Sequence, residues 1–241
     1  MVFIFLRSKK IMEFKKLSII IPVYNEEKTI AALLEKVKNA IIPLEKDIIV
    51  VDDGSKDGSA EILKNIDGIR LILHTGNKGK GSAIRTGLNS ATGDIIVIQD
   101  ADLEYDPRDY GKLIKPILEN KTAVVYGSRI LNKDNKKQSG ILFYAGGKLL
   151  SFLTNLLYSS NITDEPTCYK VFRADVIRNI GLKCKGFEFC PEVTAKILKK
   201  GIKIYEVPIS YNPRTIEEGK KINWKDGARA ICTLVKYRFK S

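Results

Sequence analysis

The sequence predicts an α/β fold, a mainly parallel sheet with helices on both faces. Three observations carry that expectation. Short β-branched runs alternate with helical patterns of about 10–15 residues. Polar clusters stand where those runs end, at Tyr24-Asn25-Glu26, Asp52-Asp53, Asp100-Ala101-Asp102 and Ser128-Arg129; in parallel sheets, ligands bind beyond the carboxyl ends of the strands. The 241 residues, 44 % apolar and 29 % charged, suffice for one core of ordinary size.

Residues 17–21 are a buried run ending at Pro22 and read as the first strand. Residues 27–39 place Ile30, Leu33, Leu34 and Val37 at helical spacing. A second strand spans 47–51 and closes in Asp52-Asp53-Gly54-Ser55, with Asp57 or Ser59 to cap the helix that follows. Strands are expected over 69–73, 94–99 and 123–126, and a helix over 79–90 behind a glycine-rich turn. Pro107 opens a further helix, where its missing N–H costs nothing. Past Arg129 the pattern changes to a polar, lysine-rich loop over 132–138. Residues 141–158 are apolar apart from Lys148 and a few polar positions; Gly146-Gly147-Lys148, Ser151, Thr154 and Asn155 favour an interfacial helix over a membrane span. A helix over 188–200, a strand over 203–209, a basic loop over 212–223 and a basic amphipathic helix over 226–239 complete the chain. Residues 1–16 read as an N-terminal extension, with Met12 a candidate start, and 17–241 as a single domain.

The net charge is +13 and gathers at the ends: residues 1–16 hold five basic and one acidic side chain, residues 214–241 eight and three. Such ends suit a phosphate-rich partner, whether nucleic acid, an anionic membrane surface or phosphorylated substrates. Cys168, Cys184, Cys190 and Cys232 form no CxxC pair, which argues against zinc and for a reducing, cytoplasmic setting. His74, the single histidine, excludes a multi-histidine metal site and more often serves as a structural hydrogen-bonder at a strand end. Tyr105, Tyr110, Tyr144 and Tyr158 read as packing residues. The segment Gly76-Asn77-Lys78-Gly79-Lys80-Gly81 matches neither nucleotide-loop motif, so it is a helix-opening turn or a backbone contact for a nucleotide.

Asp100-Ala101-Asp102 concentrates the chemistry. Two carboxylates in one tight turn repel unless a cation relieves them, and all-oxygen donors favour Mg²⁺ or Mn²⁺ over zinc. The bland reading is a pair that caps the helix at Pro107 or binds water.

Four segments stand in order: Ile19-Ile20-Ile21-Pro22-Val23-Tyr24-Asn25-Glu26, Ile49-Val50-Val51-Asp52-Asp53-Gly54-Ser55, Asn77-Lys78-Gly79-Lys80-Gly81 and Gln99-Asp100-Ala101-Asp102-Leu103-Glu104. Together they resemble the family 2 glycosyltransferases with the GT-A fold, over residues 17–236. Tyr126-Gly127-Ser128-Arg129 and the segment from Arg214 to Lys220 look most like the polyprenyl-phosphate sugar transferases, of the dolichyl-phosphate mannose synthase kind. The resemblance implies that Pro22, Tyr24 and Glu26 line the nucleotide pocket and that Val51 and Asp53 contact base and ribose. It implies that Asp100 and Asp102, with Ala101 between them, hold the metal and diphosphate, and that Glu104 is an extra ligand or touches a metal-bound water. Arg129 would meet the acceptor phosphate or the donor diphosphate, and Arg214 and Lys220 would come from a loop closing over the donor. Thr163-Asp164-Glu165-Pro166-Thr167-Cys168-Tyr169-Lys170 departs from the glycine-containing segment of the mannose synthases, which leaves GDP or UDP, and the sugar, open.

The implied partners are a nucleoside-diphosphate sugar, a polyprenyl or dolichyl phosphate and the inner face of the cell membrane, without nucleic acid. The implied reaction is metal-dependent and inverts the anomeric carbon; Asp102 and Arg129 are its candidate catalytic residues. A phosphate acceptor is already anionic and needs no general base, whereas a sugar-hydroxyl acceptor requires one, with Glu188 and Asp164 available. Rival classes fare worse. A nucleotidyltransferase lacks its glycine-rich opening here, a dehalogenase-like phosphatase would carry Asp-x-Asp on the first strand, and a nucleic-acid-binding module has only the charge to recommend it.

Overall fold

The structure, a computed structural model, describes residues 13–135, 140–214, 221 and 224–240. Its sheet contains β1 (Lys16–Val23), β2 (Glu45–Asp52), β3 (Arg70–Leu73), β4 (Ile95–Ile98), β5 (Val124–Ser128), β6 (Lys170–Arg173) and β7 (Tyr205–Pro208). The spatial order is β3-β2-β1-β4-β6-β5-β7. Every neighbouring pair is parallel except those made by β6, which runs antiparallel between β4 and β5. The helices are α1 (Ile30–Asn39), α2 (Ser59–Lys64), α3 (Lys80–Ser90), α4 (Tyr110–Leu118), α5 (Ile141–Tyr158), α6 (Ala174–Arg178), α7 (Phe189–Lys199) and α8 (Trp224–Phe239).

The central strands are apolar on both sides because both faces are covered. Leu17, Ile19, Ile20 and Ile21 of β1 and Ile95, Ile96 and Val97 of β4 are wholly buried. α3 lies so close to β1 that a Cβ on Gly87 would stand 2.4 Å from the Ile20 side chain. α4 packs on β5, β6 and β7, while α5, α7 and α8 pack on one another around Ala195, Leu234 and Tyr237.

The expected elements are present with ends shifted by a few residues. α1 starts at Ile30 because residues 26–29 form a turn in which Thr29 N donates to Glu26 O. Asp57 caps α2, accepting from Ser59 N at 3.0 Å, while the Ser59 hydroxyl instead accepts from Glu26 N. A 3-10 turn, Pro107–Asp109, leads into α4, capped by Asp106. β1 begins inside the stretch read as an extension: Lys16 pairs with Glu45, and Phe14 packs on the core. Residues 1–12 lie outside the described residues. β6 and α6 were not expected. β6 is short and bounded by Lys170 and Arg173, so its sequence lacks the long apolar run of a central strand. None of the described helices is long and apolar enough to cross a membrane.

Candidate active site

At the carboxyl ends of β1, β2 and β4 the chain opens a cleft of about 440 Å³. Pro22, Tyr24, Glu26, Asp53, Asp100, Ala101, Asp102, Glu104, Arg129 and Arg214 all line it. Topology alone gathers them, since parallel strands deliver their following loops to one edge. Val51 is not among them. It is wholly buried within β2, where its side chain belongs to the core. Lys220 lies outside the described residues.

The loops after β1 and β2 brace each other. Asn25 N donates to Ser55 Oγ at 2.9 Å, and Asn25 Oδ1 accepts from Lys56 N at 2.7 Å. Asp53, expected to contact base and ribose, lines the cleft and is engaged by its protein neighbours. Its Oδ1 accepts from Lys78 N at 3.0 Å and meets His74 Nδ1 at 2.7 Å; its Oδ2 accepts from Gly79 N at 2.7 Å. His74 joins it to Thr86 Oγ1 at 2.9 Å, the structural bonding expected of that ring. The glycine-rich segment is therefore a turn clasped by Asp53. Gly79 has φ +94°, and a Cβ there would stand 2.5 Å from Lys185 O, so only glycine fits.

Gln99 supports the aspartate turn from below. Wholly buried, it accepts from the hydroxyls of Tyr110 and Tyr169 at 2.7 Å each and donates to Asp100 O at 2.9 Å. Asp102 Oδ1 accepts from Glu104 N at 3.1 Å, closing the turn through Leu103 at φ 62°. Protein cations meet the carboxylates: Lys80 Nζ is 2.5 Å from Asp100 Oδ1, and Arg214 Nη2 is 3.1 Å from Asp102 Oδ2. Burial, then the charges of Asp100 and Glu104, push the Asp102 carboxyl up to about 7, with Arg214 opposing. Burial opposes the Lys80 ammonium, yet Asp100 and the nearby thiols leave its pKa raised.

Arg214 also grips Glu26, with Nη1 3.0 Å from Oε2. Lys221 binds Glu26 Oε1 at 2.6 Å and the carbonyls of Tyr24 and Asn25. Lys221 was hidden from sequence reading because it stands one position past the motif that ends at Lys220. Glu104 accepts from Arg214 N at 2.8 Å and from the Tyr211 hydroxyl at 3.1 Å, and so anchors residues 211–214 after β7.

Arg129 is held as a fork. Nε and Nη2 reach Asp164 Oδ2 and Oδ1 at 2.7 and 2.6 Å, and the guanidinium stacks 5.0 Å from the Tyr211 ring. Burial would raise the Asp164 pKa, but Arg129 and its hydrogen bonds hold it below the usual carboxylate range. Asp164 is thus committed to Arg129, and Glu188 stands at the start of α7 outside the cleft lining.

For a divalent cation the donors present are carboxylate oxygens. Burial first, and then the charges of Asp100 and Glu104, disfavour the ionised Asp102 carboxyl, and a divalent cation beside it would favour that ionised form. Among the described residues no three His, Cys, Asp or Glu side chains enclose an ion site, so Asp100 and Asp102 suit a partial shell completed by phosphate and water.

A family model described as glycosyl transferase family 2 matches residues 18–181. The UDP-N-acetylglucosamine–dolichyl-phosphate N-acetylglucosaminyltransferase of Methanococcus voltae is 34 % identical over 219 residues, 82 % of this chain and 86 % of that protein. The dolichol-phosphate mannosyltransferase of Pyrococcus furiosus is 31 % identical over 211 residues, 85 % of this chain and 59 % of that longer relative. Glucosyl-3-phosphoglycerate synthase from Mycobacterium tuberculosis, solved with Mn²⁺, UDP and phosphoglyceric acid, aligns with a TM-score of 0.71 at 19 % identity. The match covers 93 % of this chain and 79 % of that one and shows a shared GT-A fold.

Proposed function

The chain belongs to glycosyl transferase family 2, and from that premise we propose that it moves a hexose or N-acetylhexosamine from a nucleoside-diphosphate sugar to a polyprenyl phosphate. The observation that carries the reading is the mixed lining of the cleft, in which Asp100, Asp102, Arg129 and Arg214 share one cavity with the apolar Leu150 of α5, Pro166, Pro191 and Ala230 of α8. A phosphorylated lipid presents both kinds of surface. The dolichyl-phosphate acceptors named for the two relatives point the same way.

In this reading an oxygen of the acceptor phosphate attacks the anomeric carbon, the bond from that carbon to the diphosphate breaks on the opposite side, and the configuration inverts. The acceptor is anionic near neutral pH, so the commitment of Asp164 to Arg129 costs the reaction nothing. Arg129 and Arg214 counter the phosphate charges, which would otherwise repel in a cleft of low dielectric. Pro22, Tyr24, Glu26 and Asp53 would meet the nucleotide, and Lys220, outside the described residues, remains a candidate contact for the donor. Asp100 and Asp102 are the residues to hold Mg²⁺ or Mn²⁺, with Glu104 reaching it through water; bound there, the ion stabilises the departing diphosphate as a Lewis acid.

The lipid acceptor implies contact with the inner face of the membrane. α5 exposes Phe152 (63 %) and Leu156 (68 %), and α8 exposes Trp224 and Phe239 (both 78 %). These apolar side chains stand opposite the buried faces of their helices, and Lys225, Lys236, Arg238 and Lys240 flank the stripe on α8.

Thermal shifts with UDP- and GDP-sugars plus Mn²⁺ test the donor, since a specific ligand stabilises by its binding free energy. The best donor is then incubated with polyprenyl phosphate and the glycolipid extracted. No stabilisation by any nucleotide sugar, or a crystal soaked with Mn²⁺ and nucleotide in which Asp100 keeps Lys80 and no ion is bound, overturns the proposal.

A further inference from the structure

Behind the glycine-rich turn lies a second depression, of about 1050 Å³, that takes no part in the chemistry above. It runs between α3 and residues 177–185, from the end of α6 onward, and Asn77 of the turn lines both it and the cleft. Ser82, Arg85, Thr86 and Asn89 share one face of α3 at helical spacing, so this wall is polar, while Ile84 and Gly87 pack inward. The two walls are locked together. Ser82 N donates to Lys185 O at 2.9 Å, and a Cβ on Gly81 would stand 2.8 Å from Cys184 O.

Lys78, Arg85, Arg178 and Lys185 line this groove, and no Asp or Glu does. Arg85 is half-buried and the other three are exposed, so all four present open surface. The two arginines reach across in opposite directions. Arg85 Nη1, from α3, donates to Leu182 O at 3.4 Å, and Arg178 Nη2 donates to Ala91 O, just past the end of α3, at 2.8 Å. A guanidinium carries five N–H donors, so a bond to a carbonyl leaves donors for a ligand. Among the described residues none of the four cations forms an ion pair, although Arg70, Arg108, Arg129, Arg173, Arg214 and Arg229 each meet a carboxylate. The groove thus gathers positive charge that the chain itself does not neutralise.

We infer that this groove is a second anion site, separate from the cleft, which binds a ligand carrying more than one phosphate charge. Four positive charges in facing walls repel one another, and a polyvalent anion offsets them where a single carboxylate does not. Forked guanidinium groups match phosphate oxygens in pairs. The headgroups of anionic lipids and a soluble diphosphate share this chemistry. Residues 182–185 also carry Cys184 against Leu234 and Tyr237 of α8, so the groove adjoins one of the helices that expose apolar side chains. The inference does not depend on the sugar-transfer reading, since none of these four residues serves it.

Two probes separate the sources: calorimetry with sodium pyrophosphate in EDTA, which keeps metal out of the cleft, and flotation with phosphatidylglycerol against phosphatidylcholine vesicles. Both are applied to the full chain and to an Arg85→Gln/Arg178→Gln double variant. The wild type should bind at least one probe, and the double variant should bind it about tenfold or more weakly. A loss confined to pyrophosphate assigns a soluble ligand, a loss confined to phosphatidylglycerol assigns a lipid headgroup, and a loss of both assigns the shared chemistry. UDP with Mn²⁺ should bind the double variant as it binds the wild type, and circular dichroism melting reports that the variant folds. Lys78→Gln/Lys185→Gln, at exposed positions, supplies the same readout should the arginine pair prove necessary for folding. The inference is overturned if the wild type binds neither probe, if the variants bind both probes unchanged, or if UDP affinity falls in step with theirs. Failure of the wild type to bind any nucleotide defeats the transferase reading alone and leaves this test standing.

Discussion

Aspartates stand at both ends of the parallel sheet and do different work. At the amino end, Asp47 accepts from Ser18 Oγ at 2.6 Å, from Thr92 N and Oγ1, and from Arg70 through two nitrogens. Asp94 at the same end binds the N–H groups of Lys15 and Lys16. Those bonds knit neighbouring strands. At the carboxyl end, Asp100 and Asp102 crowd a cleft where side-chain cations meet them, and one carboxyl is pushed up rather than down. The contrast teaches that a strand-end aspartate is read by its partners: short-range amides and a fork of arginine make a structural joint, whereas crowded carboxylates beside long cationic side chains make a place for exchangeable charge.

Four variants can break or sharpen that contrast. The largest effect is expected for Asp102→Asn, which should lower sugar transfer by about a thousandfold while melting stays at or above the wild-type temperature, since a buried, crowded charge is removed. A radiolabelled transfer assay beside calorimetric melting checks both halves. Arg129→Ala should be costly in both respects, because it strands Asp164 as a buried unpaired charge. A stability loss of about 3–5 kcal/mol should accompany lost transfer, and urea unfolding measures it; a purely kinetic defect would show that the pair is not structural.

Phe152→Glu combined with Trp224→Glu should weaken binding to phosphatidylglycerol vesicles by about tenfold or more, as two apolar anchors leave the surface. Nucleotide-induced thermal shifts should stay unchanged, and co-sedimentation reads the vesicle term. Smallest is Asp47→Asn, worth about 1–2 kcal/mol with no effect on transfer per folded molecule. Burial opposes the Asp47 charge, but Ser18, Thr92 and Arg70 hold its pKa below the usual carboxylate range. Its contribution is therefore full above the unfolded value, about 4, and is lost as pH falls through the lower folded value. Wild-type melting should fall across that acid window more steeply than that of the variant.

The strands that build the cleft were legible because each is buried on both faces, and a continuous apolar run such as Ile19-Ile20-Ile21 records that burial directly. The polar turns after them were legible for the complementary reason. β6 was not, since its strand character comes from lying between β4 and β5 and not from its own four residues. The pairing of Arg129 with Asp164, 35 positions apart, left no periodic trace. The bonds that Glu104 accepts from Tyr211 and from Arg214 N, more than a hundred positions away, left no trace in the local pattern either.

Taken alone, the chain of residues determined the strands that carry their own apolar runs, which of their ends bear acid and base, and that these ends share one edge, because a run of buried side chains is a local signal and strands alternating with helices are laid parallel. Only the folded molecule decided which of those charges are spoken for. Partnership between side chains far apart in sequence depends on distances of a few ångströms, and those exist only after the sheet has formed and residues 211–214 have come to rest against Glu104 and Asp102.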